Sequence, residues 1–145
     1  MPAVLCQLPG IEGHIDRWQD IEYHPPGLYL LHSRIAPTGV EIGPDGDDSG
    51  AFHAEIVYAI TPETENTTLD FWMVARDFAV GDEEVSKYLA ESNHTVVMQD
   101  VVALNVLEQV IAAEPAGYQE LSINIDTGAL AARRLLRKLA AQETP

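Results

Sequence analysis

Apolar and polar positions alternate along the first half of the chain, then change period. "IEYH" (21–24) is extended in character and stops at "PPG" (25–27). "LYLLHSRI" (28–35) follows, rich in apolar and aromatic residues. The turn "APTG" leads to "VEIG", and "PDGDDSG" (44–50) has the Gly, Asp and Pro content of a turn, so 43–50 is expected to be a mobile loop. In "AFHAEIVYAI" (51–60) the alternate set Phe52, Ala54, Ile56, Tyr58 and Ile60 is the more apolar and is predicted to face a core. "TPETEN" supplies a turn, and the β-branched and aromatic "TTLDFWMVARDF" (67–78) completes a hairpin.

After Gly81 the spacing becomes helical. Asp82 is a candidate N-cap, with Glu83 and Glu84 in the first turn where anions are favoured. Val85, Leu89, Val96, Leu104, Leu107 and Ile111 then recur at helical intervals. "NHT" (93–95) is the expected kink or restart, and Pro115 and Gly117 end the helix. "LSINI" (121–125) reads as a short extended link. Asp126 or Thr127 then caps a last amphipathic helix through Leu139, with Leu130, Leu135, Leu136 and Leu139 available for packing. Strands followed by helices predict an α+β fold, one domain over 1–145, with helices covering one face of an antiparallel sheet.

Composition narrows the function classes. A net charge of −15 argues against nucleic acid and anionic membranes, whose phosphates need clustered cations. Arg133, Arg134, Arg137 and Lys138 do cluster, but cations in the last turns of a helix complement its dipole. Cys6 is the single cysteine, so neither an internal disulfide nor a cysteine-rich metal site can form, and a cytoplasmic location is expected. "MPAVLCQLPG" lacks the charged lead and apolar run of a signal peptide. No stretch approaches the ~18–20 apolar residues that a membrane span requires.

One residue breaks the pattern. On a 3.6-residue period Asp100 shares a helix face with Val96, Ala103 or Leu104, and Leu107. A buried, unpaired carboxylate costs several kcal/mol, so Asp100 is expected to be protonated, paired with a cation, or bound to a metal. Arg34, Arg76 or an arginine of the last helix could supply the cation. The histidines (His14, His24, His32, His53 and His94) include no pair at three- or four-residue spacing, which would place two imidazoles on one helix face. There is no G-x-S-x-G elbow and no glycine-rich phosphate loop.

Four segments, "HIDRWQDIEYHPPG" (14–27), "AITPETENTTLDFW" (59–72), "MQDVVALNVLEQV" (98–110) and "NIDTGALAARRLLRKL" (124–139), resemble the C-terminal part of the vanillate O-demethylase oxygenase subunit. The pattern is shared by related Rieske non-haem iron oxygenases and runs from about Gly13 to Leu139. The resemblance implies a helix-grip, START-like catalytic domain whose antiparallel sheet wraps a long helix and forms an apolar pocket for an aromatic substrate. It makes Asp100 the carboxylate ligand of a mononuclear Fe(II), a metal suited to two histidines and one carboxylate. Tyr58 falls where relatives often carry a pocket histidine, and Tyr58, Leu31 and Phe71 are the expected substrate-binding residues.

The departures are as informative. One cysteine cannot build a Rieske cluster, and the "Asp-x-x-His" segment that supplies the other two iron ligands in relatives is missing from these residues. Three readings follow. The chain is a part of an oxygenase completed by a Rieske-containing partner that brings the histidines, and is not self-sufficient in catalysis. Alternatively it is a non-catalytic module of the same fold that binds a small hydrophobic molecule. In the third reading it merely folds, with Asp100 neutralised by an arginine. Apolar surface left uncovered would favour a homo- or hetero-oligomer.

Overall fold

The computed structural model describes residues 13–40, 42, 48–115 and 117–143. Four strands, β1 (Ile15–His24), β2 (Leu28–Pro37), β3 (Phe52–Pro62) and β4 (Thr68–Arg76), form one antiparallel sheet in the order β1-β2-β3-β4. A long helix, α1 (Glu83–Ala113), a 3₁₀ turn (Asn124–Asp126) and a second helix, α2 (Thr127–Glu143), follow. This is the α+β order that the change of period predicts. The chain divides into two compact units, the sheet unit ending at Asp82 and the helical unit starting at Glu83. Cys6 and most of the expected 43–50 loop lie outside the described residues.

The register gives the sheet two chemically distinct faces, because residues opposite one another share a face and neighbours along a strand do not. Tyr23 pairs with Tyr29, Tyr29 with Tyr58 and Tyr58 with Trp72, so one aromatic residue from each strand lies in a single row. Two rows on, Ile21, Leu31, Ile56 and Val74 form an aliphatic row on the same face. Ile35 (3% exposed) and Tyr58 (8%) belong to this face and are among its most buried side chains. Phe52, also on this face, meets Phe78 edge-on at 5.3 Å between ring centroids. The set Phe52, Ala54, Ile56 and Tyr58 shares this face; Tyr58 is buried, the other β3 residues on both faces up to Ala59 are half-buried, and Ile60 at the strand end is exposed. The opposite face carries Asp20, Glu22, His24, His32, Arg34, His53 and Glu55, together with Trp18, Leu28, Leu30, Val57, Phe71 and Met73.

The β1–β2 turn is held tightly. The Tyr23 hydroxyl donates to the carbonyl of Pro26 (2.7 Å). One residue on, the Ile60 N–H donates to the carbonyl of Gly27 (2.8 Å), extending the β2–β3 ladder past Leu28. A Cβ at position 27 would stand 2.1 Å from the Ile60 carbonyl oxygen. No side chain fits there, which is why the "PPG" turn ends in glycine.

In α1 the partly or fully buried positions are Val85, Tyr88, Leu89, Ser92, Asn93, Val96 and Val97, a stripe with the three- and four-residue steps of one helix face. Beyond Val97 the helix is exposed, including Val102, Leu104, Val106, Leu107 and Val110. The helix also contains an 18-residue window of mean hydropathy 1.5, long and apolar enough to cross a membrane by length and composition. The expectation that no stretch reaches that threshold is corrected: Gln99, Asp100, Asn105, Glu108 and Gln109 interrupt the run without lowering its average far enough. A mostly buried core helix of a soluble protein passes the same test, whereas here 6% of the window is buried.

Three local expectations also change. The "NHT" segment neither kinks nor restarts, and α1 is continuous across it. The Thr95 hydroxyl turns back to the Glu91 carbonyl (2.9 Å), so its polar group is satisfied inside the helix. "LSINI" is irregular and then 3₁₀ rather than extended, with Asp126 accepting from the Ile123 N–H (2.8 Å). Finally, α2 runs to Glu143 and its last turn holds no basic residue. Arg133, Arg134, Arg137 and Lys138 therefore sit mid-helix, where the dipole argument does not apply. Arg133 is instead paired with Glu120.

Candidate functional site

Asp100 occupies the next position of the α1 stripe after Val96 and Val97. Helical spacing places it there, but the side chain is exposed. The desolvation penalty inferred from its apolar neighbours is therefore not incurred within this chain. The arginines expected as its partners are engaged elsewhere. Arg34 pairs with Asp20 (2.5 Å). Arg76 donates to the carbonyls of Phe78 (2.9 Å), Ala79 (2.8 Å) and Asp82 (2.9 Å), tying the β4 exit to the turn before α1. No ion pair of Asp100 is found among the described residues.

The described residues include no group of three His, Cys, Asp or Glu side chains placed to hold a metal. His94 precedes Asp100 by six residues, which on a continuous helix puts the two on different faces. The chain's described residues do not compose a three-ligand iron centre; Asp100 offers one carboxylate.

Of the expected substrate-binding residues, Tyr58 and Leu31 lie on the same face of the sheet, in the aromatic and aliphatic rows. Tyr58 is stacked on Tyr29 with ring centroids 4.6 Å apart and planes 16° from parallel. Phe71 pairs with Ala59 and belongs to the opposite face, where it is 60% exposed. The structure therefore brings Tyr58 and Leu31 together and leaves Phe71 apart from them. Tyr23, Tyr29 and Trp72, which complete the row, escape a reading of single strands because only the register aligns them.

The polar face holds a network that sequence spacing does not reveal. Glu22 lies 3.0 Å from His24 and 3.4 Å from His32, and His32 lies 3.2 Å from Glu55. A second cluster forms where the chain enters β3 and leaves β4. The His53 backbone N–H donates to Asp77 (2.9 Å), its Nδ1 lies 2.6 Å from the other Asp77 oxygen, and its Nε2 lies 3.3 Å from Asp48. Together with Arg34 and Arg76 these groups line an open depression of about 400 Å³.

The hydrogen bond to Asp77 raises the pKa of His53, against partial burial and with help from Asp48. For Asp77, partial burial pulls upward, but the N–H and imidazole of His53 together outweigh it and lower its pKa. The signs fix a pH window. His53 contributes stability that is fully present below its unfolded value of 6.5 and is lost as pH rises through its raised folded value. Asp77 contributes stability that is present above its ordinary 3.8 and is lost as pH falls through its lowered folded value. Urea midpoints are expected to fall as pH rises above about 6.5, and the slope is expected to flatten in His53→Gln. The same slope in both proteins would assign the titration to another group. Both side chains are well exposed, so added salt should weaken the effect.

Comparison with known proteins gives a consistent answer. The profile of the vanillate O-demethylase oxygenase C-terminal domain family matches residues 1–142. The vanillate O-demethylase oxygenase subunit of a Pseudomonas species is 30% identical over 129 residues, covering 89% of this chain and 39% of the relative. An iron-sulfur subunit of a toluene-4-sulfonate monooxygenase system from Comamonas testosteroni is 28% identical, covering 91% of this chain and 38% of the relative. The oxygenase component of dicamba O-demethylase from Stenotrophomonas maltophilia is 26% identical, covering 98% of this chain and 41% of the relative. The chain thus spans about two fifths of the length of these relatives. No solved structure matches.

Proposed function

The chain belongs to the vanillate O-demethylase oxygenase C-terminal domain family, and from that premise we propose that it forms the substrate-pocket portion of a Rieske-type aromatic oxygenase of the oxidative demethylase kind. The observation that carries the reading is the aligned row of Tyr23, Tyr29, Tyr58 and Trp72 beside the row of Ile21, Leu31, Ile56 and Val74. Such a face offers flat π surface and aliphatic packing to an aromatic ring.

In this reading Asp100 supplies one ligand to a mononuclear iron. Two histidines and a Rieske cluster come from polypeptide outside these residues, whether in the same longer chain or in a partner. Iron, when bound, would activate dioxygen for attack on the substrate. This chain's own part is to bind and orient the ring: Tyr58 stacks against it or offers its hydroxyl, and Leu31 packs on its edge and helps exclude water.

The test is binding of an aromatic acid to the assembled oxygenase, followed by calorimetry. Tyr58→Ala removes one stacking surface and is expected to weaken binding about tenfold, the scale of one aromatic contact. Unchanged affinity would remove the aromatic face from the pocket. If the chain binds apolar aromatics but no assembly retains iron, the non-catalytic module is the better description.

A further inference from the structure

The row of Tyr23, Tyr29, Tyr58 and Trp72 runs from the β1 edge of the sheet to the β4 edge, one residue from each strand. Its composition is selective. The chain holds five tyrosines, two tryptophans and three phenylalanines, yet every member of the row is a tyrosine or a tryptophan. Packing does not ask for that choice, since phenylalanine gives nearly the same ring contact with no hydroxyl to satisfy on an apolar face. What tyrosine and tryptophan share, and phenylalanine lacks, is a ring that a strong one-electron oxidant oxidises.

The spacing suits transfer from ring to ring. Adjacent strands lie about 4.8 Å apart, so the row covers about 14 Å in three short steps. In the middle step the Tyr29 and Tyr58 rings stand 4.6 Å apart with planes 16° from parallel, π face against π face. The two ends of the tyrosine series differ in what they do with a proton. Tyr58 is 8% exposed, so water is not at hand to take its phenolic proton. Tyr23 is half-buried beside the exposed Pro25 and Pro26, and its hydroxyl donates to the Pro26 carbonyl (2.7 Å). A phenol that donates a hydrogen bond gives up an electron more readily, and at this turn water can take the proton.

We propose that the row is a relay that carries an oxidising equivalent from the β4 edge to Tyr23. Trp72 loses one electron to the oxidant and is refilled by Tyr58, which is refilled by Tyr29, which is refilled by Tyr23. The net change is one electron from Tyr23 to the oxidant and one phenolic proton from Tyr23 to water. A neutral tyrosyl radical is left at Tyr23. The oxidant is a one-electron acceptor stronger than a phenol, of the ruthenium(III) polypyridyl class. The relay would draw damaging oxidation off this face of the sheet to the turn, where dissolved reductants reach it. This role goes beyond the reading of the face as a substrate surface and does not rest on it.

The experiment injects the oxidising equivalent at the β4 end of the full chain. Cys6→Ser combined with Thr68→Cys leaves one thiol, at the exposed start of β4, on the face of Trp72 and about 13 Å from it along the strand. A ruthenium(II) tris-bipyridyl label on that thiol is flashed with an irreversible cobalt(III) quencher, and the radical is read by electron paramagnetic resonance. A tyrosyl signal is expected, and Tyr23→Phe should abolish it. Tyr29→Phe and Tyr58→Phe each open a gap of about 10 Å between oxidisable rings and should cut the yield about tenfold. Trp18→Phe, on the other face, should leave the yield unchanged. Each phenylalanine keeps the ring, so far-ultraviolet circular dichroism should match the native protein; should one inner variant fail to fold, the other decides. A signal that survives Tyr23→Phe overturns the relay, as does a yield that the inner variants leave intact. No tyrosyl signal at all, or one that Trp18→Phe removes, overturns it too.

Discussion

Gly27→Ala is expected to destabilise the sheet unit by about 3 kcal/mol, the upper range for forcing extra atoms into a packed site. The reason is the 2.1 Å approach between an alanine Cβ and the Ile60 carbonyl oxygen. The obstacle is backbone, which cannot rotate away as a side-chain tip would. Relief requires the β1–β2 turn to lift off β3, and that breaks the 2.8 Å hydrogen bond from Ile60 to Gly27. The loss should appear in urea denaturation as a lower midpoint with an unchanged slope. Gly128→Ala is the natural contrast, because an alanine Cβ there would meet nothing within 4 Å and the residue sits in α2. Alanine at that position should be stabilising, by up to about 1 kcal/mol, through helix propensity. A Gly27 variant that unfolds like the native protein would mean the turn is not held against β3.

Asp100→Ala should have the largest effect on composition rather than on stability. When the chain is prepared with the polypeptide that supplies the histidines, iron is expected to be retained in the native protein. In the variant it should bind at least tenfold more weakly, since losing even an outer-shell partner of a metal site has that cost. The melting temperature should barely move, because Asp100 is exposed and exposed substitutions stay within about 0.5 kcal/mol. Elemental analysis of both preparations reads the result. Equal iron in native and variant would remove Asp100 from the ligand set, and iron in neither would remove the metal from the proposal.

Strands and helices were legible because period carries them. The alternation at Phe52 to Ile60 and the β-branched run after Thr67 both mark strands that the structure contains. What a one-dimensional pattern could not carry is register. The aromatic row draws one residue from each of four strands, and no spacing within a strand announces it. The polar network has the same origin, with His53 and Asp77 brought together by the β3–β4 ladder across 24 residues. Propensity misled at "NHT", where three weak helix formers stay helical within a stripe that buries Asn93, and the Thr95 hydroxyl is satisfied by the Glu91 carbonyl. At Asp100 the period placed the residue correctly, but burial does not follow from period alone: the stripe is buried up to Val97 and exposed after it.

The two-faced register gives the protein an internal pair of optical reporters. Its two tryptophans, Trp18 and Trp72, belong to opposite faces of the sheet, since Trp18 aligns with Arg34 and His53 while Trp72 aligns with Tyr58. An aromatic molecule settling on the tyrosine row should quench Trp72 and leave Trp18 as an unperturbed reference. Titration of the His53 cluster should do the reverse. Replacing one tryptophan at a time by phenylalanine would let emission alone say which side of the sheet an event has touched.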